Sequence, residues 1–392
     1  MWYNNGMYSI KKSNFILLII ISAVIGACVC FGVIKAVSFV GTGSLSGSQD
    51  AKAFQERYKE LDEVYQRIQK DYYKDVDPEK LIIGATKGMV NSLGDQHSSY
   101  MTKSEYEQWY STVTGEYEGI GVTFVMEKKG EGEVILVNEN SPAAEAGIKP
   151  GDVMTKVDGK EYKDSDKMSE AIRGKGGTTV KITYKRNGKE KTVSIIRDKI
   201  VSVSVTSEML SGNIGYIRIL SFEASTDEDF KAALESMEKK KVKGLVIDLR
   251  DNGGGLVDSA SRIADMLLGK CNITYLQNRE GKKEYIDSDA SKTDLPYVVL
   301  VNGNSASASE IVTAAIKDNK GGKIVGTKTF GKGIVQSTEQ LDDGSALELT
   351  VLQYFSPNGH AIHKKGIKPN YVVKDNPKTK ADEQLEKAEG LL

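Results

Sequence analysis

GLVIDLRDNGGGLVDSASRIADMLLG, residues 244–269, is the stretch whose pattern decides the fold. Leu245 to Leu249 form an apolar run broken only by Asp248, with no alternation of polar and apolar positions. A strand buried on both faces reads that way. Three glycines follow, and then a helical stripe over LVDSASRIADMLLG. The unit recurs on both sides. NIGYIRILSF (213–222) and YVVLVN (297–302) read as strands, FKAALESMEKKK (230–241) and ASEIVTAAIKD (308–318) as helices, and GKGIVQSTEQL (331–341) and SALELTVLQYF (345–355) as late strands. Strand–helix alternation predicts an α/β core with a largely parallel sheet over residues 200–392.

Upstream, residues 113–199 change to short strands and glycine turns. GIGVTFVMEKKGEGEVILVNENSPAAEAGIKPGDVMTKVDGKEY (119–162) alternates around two hairpin-like breaks, and VKITYKRNGKEKTVSII (180–196) turns at Asn187-Gly188. A short helix is expected near Lys167–Ile172. Residues 49–112 read as helical. Phe54, Tyr58, Leu61, Tyr65, Ile68 and Tyr72 recur at steps of three and four, and a second helix opens at Pro78 and ends at Gly94. These stripes suit core packing or a surface between copies of the chain. The loop GDQHSSYM (94–101) holds His97, read as a polar turn residue.

Residues 1–48 carry a different signal. From Phe15 to Ile34 no charge occurs, which is about the length a helix needs to cross ~30 Å of hydrocarbon. Lys11 and Lys12 precede the run and Lys35 follows, before a Gly/Ser-rich linker at 41–50. The expectation is an uncleaved single-pass anchor with a cytoplasmic N-terminus and the domains outside the cytoplasm. A cleaved signal peptide or a lipoprotein signal at Cys28 fits less well, because the residues after Cys28 stay apolar.

Composition narrows the chemistry. The net charge of −1 gives no basic surface for nucleic acid. Three cysteines and three histidines, without metal-ligand spacing, supply neither a disulfide framework nor a zinc site. No cofactor is called for.

Three groups stand out: Asp248 to Gly255 after a buried strand, Asn304 to Glu310 at a strand-to-helix junction, and Phe330 to Gln336. Each has a bland explanation, as a sharp turn, an S-x-x-E capping box at Ser307–Glu310, and a surface lysine. A phosphate loop over Gly326–Lys332 fails at Gly333, where Ser or Thr is required. His360 and His363 leave a Ser-His-Asp alternative open.

The SPAAEAG-x-x-x-GD run resembles the PDZ family in its circularly permuted bacterial form. That resemblance implies that the loop Gly119-Ile120-Gly121-Val122 receives a peptide's C-terminal carboxylate and that the next strand pairs with the peptide. Glycines suit such a loop, because an anion can then approach several N–H groups.

Taken together over residues 55–390, the groups resemble the C-terminal processing (tail-specific) peptidases of the S41 type. The resemblance implies a core of the crotonase/Clp-protease-like kind, a serine endopeptidase and protein substrates held by their C-terminal tails. It places the nucleophile at Ser307, the general base at Lys332, an orienting group at Gln336, and oxyanion donors at Ala308 and at Gly254 or Gly255. No catalytic position departs from the family pattern. A lysine base must be neutral, and burial beside Phe330, Ile334 and Val335 is the expected means. Lys332 and Gln336 are an even number apart, so on an extended segment they share a face. Arg173, closing the module's short helix, is the expected reporter of tail occupancy. The alternatives are a silent PDZ scaffold and an acyl-CoA enzyme of the crotonase type, and neither needs the Ser-Lys pair.

Overall fold

The computed structural model describes residues 2–5, 8–11, 48–126, 130–374 and 381–392. The chain divides into two compact units, residues 1–84 and 85–392. In the first, β1 (Trp2–Asn5) pairs antiparallel with β2 (Tyr8–Lys11), and α1 spans Ser48–Asp71. On the α1 stripe Tyr58 (62%) and Leu61 (43%) are exposed, while Tyr65 and Ile68 are half-buried. No helix among the described residues is long and apolar enough to cross a membrane. The Phe15–Ile34 run, and the linker up to residue 47, lie outside the described residues.

Helix α2 (Pro78–Asn91) starts on its proline, a residue suited to the first turn. The segment after it is not a plain loop, because Ser99–Met101 form β3. α3 (Lys103–Thr114) follows a Thr102–Glu105 capping box, and β4 covers Glu116–Gly119.

The module from residue 120 is an antiparallel sheet of β5 (Val122–Met126), β6 (Gly132–Val137), β7 (Val153–Val157), β8 (Thr179–Arg186) and β9 (Lys189–Ile196), in that spatial order. α4 (Pro142–Glu145) and α5 (Ser165–Ile172) pack on it. Ile120, Val134, Met154, Met168 and Ile182 are fully buried in its core. Asn187 and Gly188 both take positive φ, as the two-residue turn between β8 and β9 requires. β10 (Asp198–Val201) pairs back on β4 and closes the neck of the module.

The remaining elements are β11 (Val205–Leu210), β12 (Ile214–Ile219), α6 (Thr226–Lys239), β13 (Leu245–Asp248), α7 (Val257–Leu267), β14 (Asn272–Gln277), β15 (Lys283–Asp287) and β16 (Tyr297–Val301). Then come α8 (Ala308–Asp318), β17 (Lys323–Gly326), β18 (Ile334–Gln340), β19 (Ala346–Phe355), β20 (Tyr371–Val372) and α9 (Glu383–Glu389). One sheet has the order β11-β12-β13-β16-β17-β20, parallel from β12 onward. Every residue of β13 and β16 is buried, which is why those strands read as continuous apolar runs. Each fully buried Leu, Ile or Val contributes ~1.5–3 kcal/mol of transfer free energy.

The late strands do not extend this sheet. β18 and β19 belong to a second, antiparallel sheet of order β15-β14-β19-β18, and β3 pairs with β19 at Met101↔Ala346. Their side chains are mostly half-buried, in keeping with strands that cover one flank of the core.

Candidate active site

The glycine turn after β13 and the serine loop before α8 are stitched together at the carboxyl ends of the parallel strands, where ligands of α/β sheets bind. The Ser305 hydroxyl donates to Leu249 O at 2.7 Å and the Ser309 hydroxyl to Asn252 O at 2.9 Å. The N–H of Ala306 donates to Asn252 O, and the Asn302 and Asn304 amides each donate to the Asp251 carboxylate at 2.8 Å. Arg250 holds the base of the turn, donating to fully buried Asp248 (2.6 Å) and to Asp382 before α9 (2.8 Å).

Of the three serines in the run, two are therefore consumed by structure. Ser307 is half-buried, and its hydroxyl donates to no group among the described residues. Its backbone sits at φ 54°, ψ −116°, a strained conformation for a residue with a Cβ. Such strain costs on the order of 1–3 kcal/mol and is retained where it aims a functional side chain.

Beside it the N–H of Ala308 makes no hydrogen bond among the described residues, as expected in a first helical turn. Gly254 packs directly against this pair, at φ 108°. Its own N–H already donates to Asn252 Oδ1 at 2.8 Å. Gly255 is exposed and its N–H is not engaged among the described residues, so of the two glycines only Gly255 has a free donor.

Lys332 lies two residues before β18, on a segment tied to the serine loop. The Glu310 carboxylate accepts from the N–H of Ser307 (3.1 Å), of Lys332 (2.8 Å) and of Gly331 (2.8 Å), and from the Thr329 hydroxyl (2.6 Å). Burial pushes the Glu310 carboxyl up, against these four hydrogen bonds. The Tyr354 hydroxyl reaches the carbonyl of Ser307 at 3.0 Å and that of Lys332 as well. Burial holds the Lys332 ammonium below its usual range, while the carboxylates of Glu348 and Asp95 oppose that shift. No hydrogen bond or ion pair engages its Nζ among the described residues.

Gln336 lies within β18 and Lys332 just before it. β18 starts only at Ile334, so strand geometry does not extend back to Lys332; opposite Val335–Gln336 the facing strand β19 carries one extra residue, Val351. The Gln336 amide donates to the Thr350 hydroxyl at 3.1 Å. Thr350 in turn belongs to a network that the sequence did not reveal. Its N–H donates to Ser98 Oγ, and Ser98 Oγ donates to Asp95. The Thr350 and Ser98 hydroxyls hold the Asp95 carboxyl down at about 2. Asp95 and Thr350 are too distant in sequence for any local pattern to link them. His363 runs alongside Gly333 with Nδ1 unpartnered, and His360 lies in the preceding turn; neither hydrogen-bonds Ser307 or Lys332 among the described residues.

In the module, Gly119 lies in β4, and Gly121 has φ 79° with Ser141 packed where a Cβ would project. The Ile120 side chain is fully buried, so only its backbone can meet a ligand. β5, which begins at Val122, is an outer strand of its sheet with one edge unpaired among the described residues. Arg173 caps α5 and places its guanidinium over the Tyr117 ring of β4, 5.2 Å from the centroid. It thus meets the neck of the module and not the serine loop.

Comparison with known proteins places these features. Residues 213–373 match "Peptidase family S41", residues 119–196 match "PDZ domain", and residues 23–105 match "Activating protease CtpB N-terminal domain". The chain is 38% identical over 365 residues to the carboxy-terminal processing protease CtpA of Bacillus subtilis, covering 92% of this chain and 77% of that one. It is 39% identical over 373 residues to a probable CtpA-like serine protease of Staphylococcus saprophyticus, covering 93% and 74%. Among solved structures, the photosystem II D1 C-terminal processing protease superposes with a TM-score of 0.50 at 28% identity, covering 84% of this chain and 89% of that one. An S41 protease described as putative, from Bacteroides fragilis, gives 0.51 at 19% identity, covering 78% and 84%, a likeness of fold alone.

Proposed function

This chain belongs to peptidase family S41 and carries a PDZ domain, and from that membership we propose that it trims the C-terminal tails of protein substrates by a Ser-Lys mechanism at the outer face of a membrane. In this reading Ser307 attacks the scissile carbonyl and Lys332, neutral at the moment of attack, takes its proton. The N–H groups of Ala308 and Gly255 hold the oxyanion. The proton returns from Lys332 to the leaving amine, and water then releases the acyl group by the same steps. Gln336 steadies the lysine once a substrate has drawn the loop together, and Arg173 reports tail occupancy to the catalytic core. The observation that carries the mechanism is the lysine itself, half-buried, without a partner among the described residues, and held below its usual range.

The sign of the pH dependence follows. A lysine with a lowered pKa is protonated, and useless as a base, on the acid side of that value. Measured kcat/KM should rise with pH and level off below the ordinary lysine value of about 10.4. A profile flat from pH 6 to 10 would exclude Lys332 as the base.

Tail recognition is supported by the unpaired edge of β5 beside the Gly119–Val122 loop. Membrane tethering is supported by the uncharged Phe15–Ile34 run and its flanking lysines. One experiment addresses both. A model protein with an apolar C-terminal tail, added to intact spheroplasts expressing the chain, should lose that tail by mass spectrometry, and a tail-less version should not. Cleavage confined to lysed cells would refute the extracytoplasmic placement. Equal cleavage of both proteins would refute tail recognition.

A further inference from the structure

Glu310 is fully buried among Ala, Ile and Val in the first turns of α8, with no cation against it among the described residues. A carboxylate in such a place costs several kcal/mol unless its oxygens are filled. Starting a helix accounts for only one of its four hydrogen bonds, that from the N–H of Ser307. The other three come from Thr329, Gly331 and Lys332, on the segment that leads into β18. Tyr354, also fully buried, repeats the pattern with opposite polarity, since its hydroxyl reaches the carbonyls of the same two residues. Ser307 and Lys332 thus offer their N–H groups to one carboxylate, while their C=O groups share the single proton of one hydroxyl.

Resting on the reading of Ser307 as nucleophile and Lys332 as base, we infer that Glu310 and Tyr354 are positioning residues that together set the separation of that pair. Neither bears on the reacting atoms. The serine and the lysine come from different loops, one before α8 and one before β18, so covalent connection does little to fix their spacing. A base must come within hydrogen-bond reach of the hydroxyl it deprotonates, and a displacement of ~1 Å can cost about a hundredfold in rate. Glu310 bridges the two backbones where the loops meet, and Tyr354 bridges them again from β19. Burial, which raises the Glu310 carboxyl, sharpens the requirement that all four donors stay in place.

The test is a set of variants in two backgrounds. Tyr354→Phe removes one oxygen and leaves the ring packed; Glu310→Gln keeps the shape but leaves one oxygen for four donors. In the otherwise wild-type enzyme each should lower kcat about ten- to a hundredfold, with KM for a tailed substrate within about twofold. In Lys332→Ala, where no base remains to be aligned, neither should lower the residual rate further. Wild-type kcat in Tyr354→Phe, or an equal loss in both backgrounds, would overturn the inference while leaving the Ser-Lys reading intact. Near-wild-type activity in Lys332→Ala would overturn that reading and this inference with it. Should Glu310→Gln fail to fold, Tyr354→Phe alone decides.

Discussion

Ser307→Ala and Lys332→Ala are each expected to lower kcat by about three orders of magnitude or more, with unchanged circular dichroism and unchanged tail affinity. At 1.36 kcal/mol per tenfold, that is at least ~4 kcal/mol of transition-state stabilisation lost from a single side chain. The two losses should not add, because a nucleophile without its base and a base without its nucleophile fail at the same step. The fold should survive. Ser307's hydroxyl donates to nothing among the described residues, and no ion pair of Lys332 is lost on truncation. Burial lowers the pKa of Lys332, so its charged form is disfavoured by folding and stability rises with pH between the folded and unfolded values. Lys332→Ala removes that dependence. If Lys332→Ala kept more than a few per cent of activity, the base would have to lie elsewhere. The double variant His360→Ala/His363→Ala should retain measurable activity. A dead but folded double variant would revive a histidine-based triad.

The second large effect is expected at Gly254. A Cβ there would stand 2.6 Å from Ser307 Cβ, 2.8 Å from Ala306 O and 3.0 Å from Ala308 N, and the backbone sits at φ 108°. None of those neighbours is the far end of a flexible side chain. Gly254→Ala must therefore push the nucleophile loop away from the glycine turn, opening the gap between Gly255 and Ala308. Loss of one oxyanion donor costs ~10²–10³ in kcat, and the strained backbone adds roughly 1–3 kcal/mol of destabilisation. Gly253→Ala is the control, since a Cβ at that position would meet no heavy atom within 4 Å and the φ there is not positive. Steady-state kinetics and melting curves of the two variants decide the matter. Wild-type kcat in Gly254→Ala would mean that the turn does not shape the oxyanion site.

Local pattern alone determined a good deal of this protein. Parallel strands buried on both faces have no solvent side, so the strands at 245–248 and 297–301 announced themselves through runs that are apolar but for Asp248. The hairpin at Asn187-Gly188 was legible because few residue pairs tolerate two successive positive φ angles. The serine run at 305–310 and the Phe330–Gly333 segment became legible only together, through their resemblance to the S41 peptidases, since each alone reads as a capping box or a surface lysine. What sequence could not tell was which sheet each late strand joins. β18 and β19 pair with β14 and β3 in a second sheet, and register between distant strands is set by packing.

The same limit separates the site's obvious members from its hidden ones. Glu310 looked like a helix start because its first partner, Ser307, is three residues away; Thr329, Gly331 and Lys332 become its partners only when two loops meet in space. Asp95 lies in the turn before β3, and nothing local says that β3 will dock on β19 and bring its carboxylate within the field of Lys332. Gln336 lies in β18 and donates to Thr350 on β19, a partner fourteen residues away that no alternation along one segment could name. A short motif encodes which side chains are present and how they alternate along one segment. Their distances across segments, and the burial that sets their charge, arise only when those segments are packed together, and for Ser307 and Lys332 that packing runs through Glu310 and Tyr354.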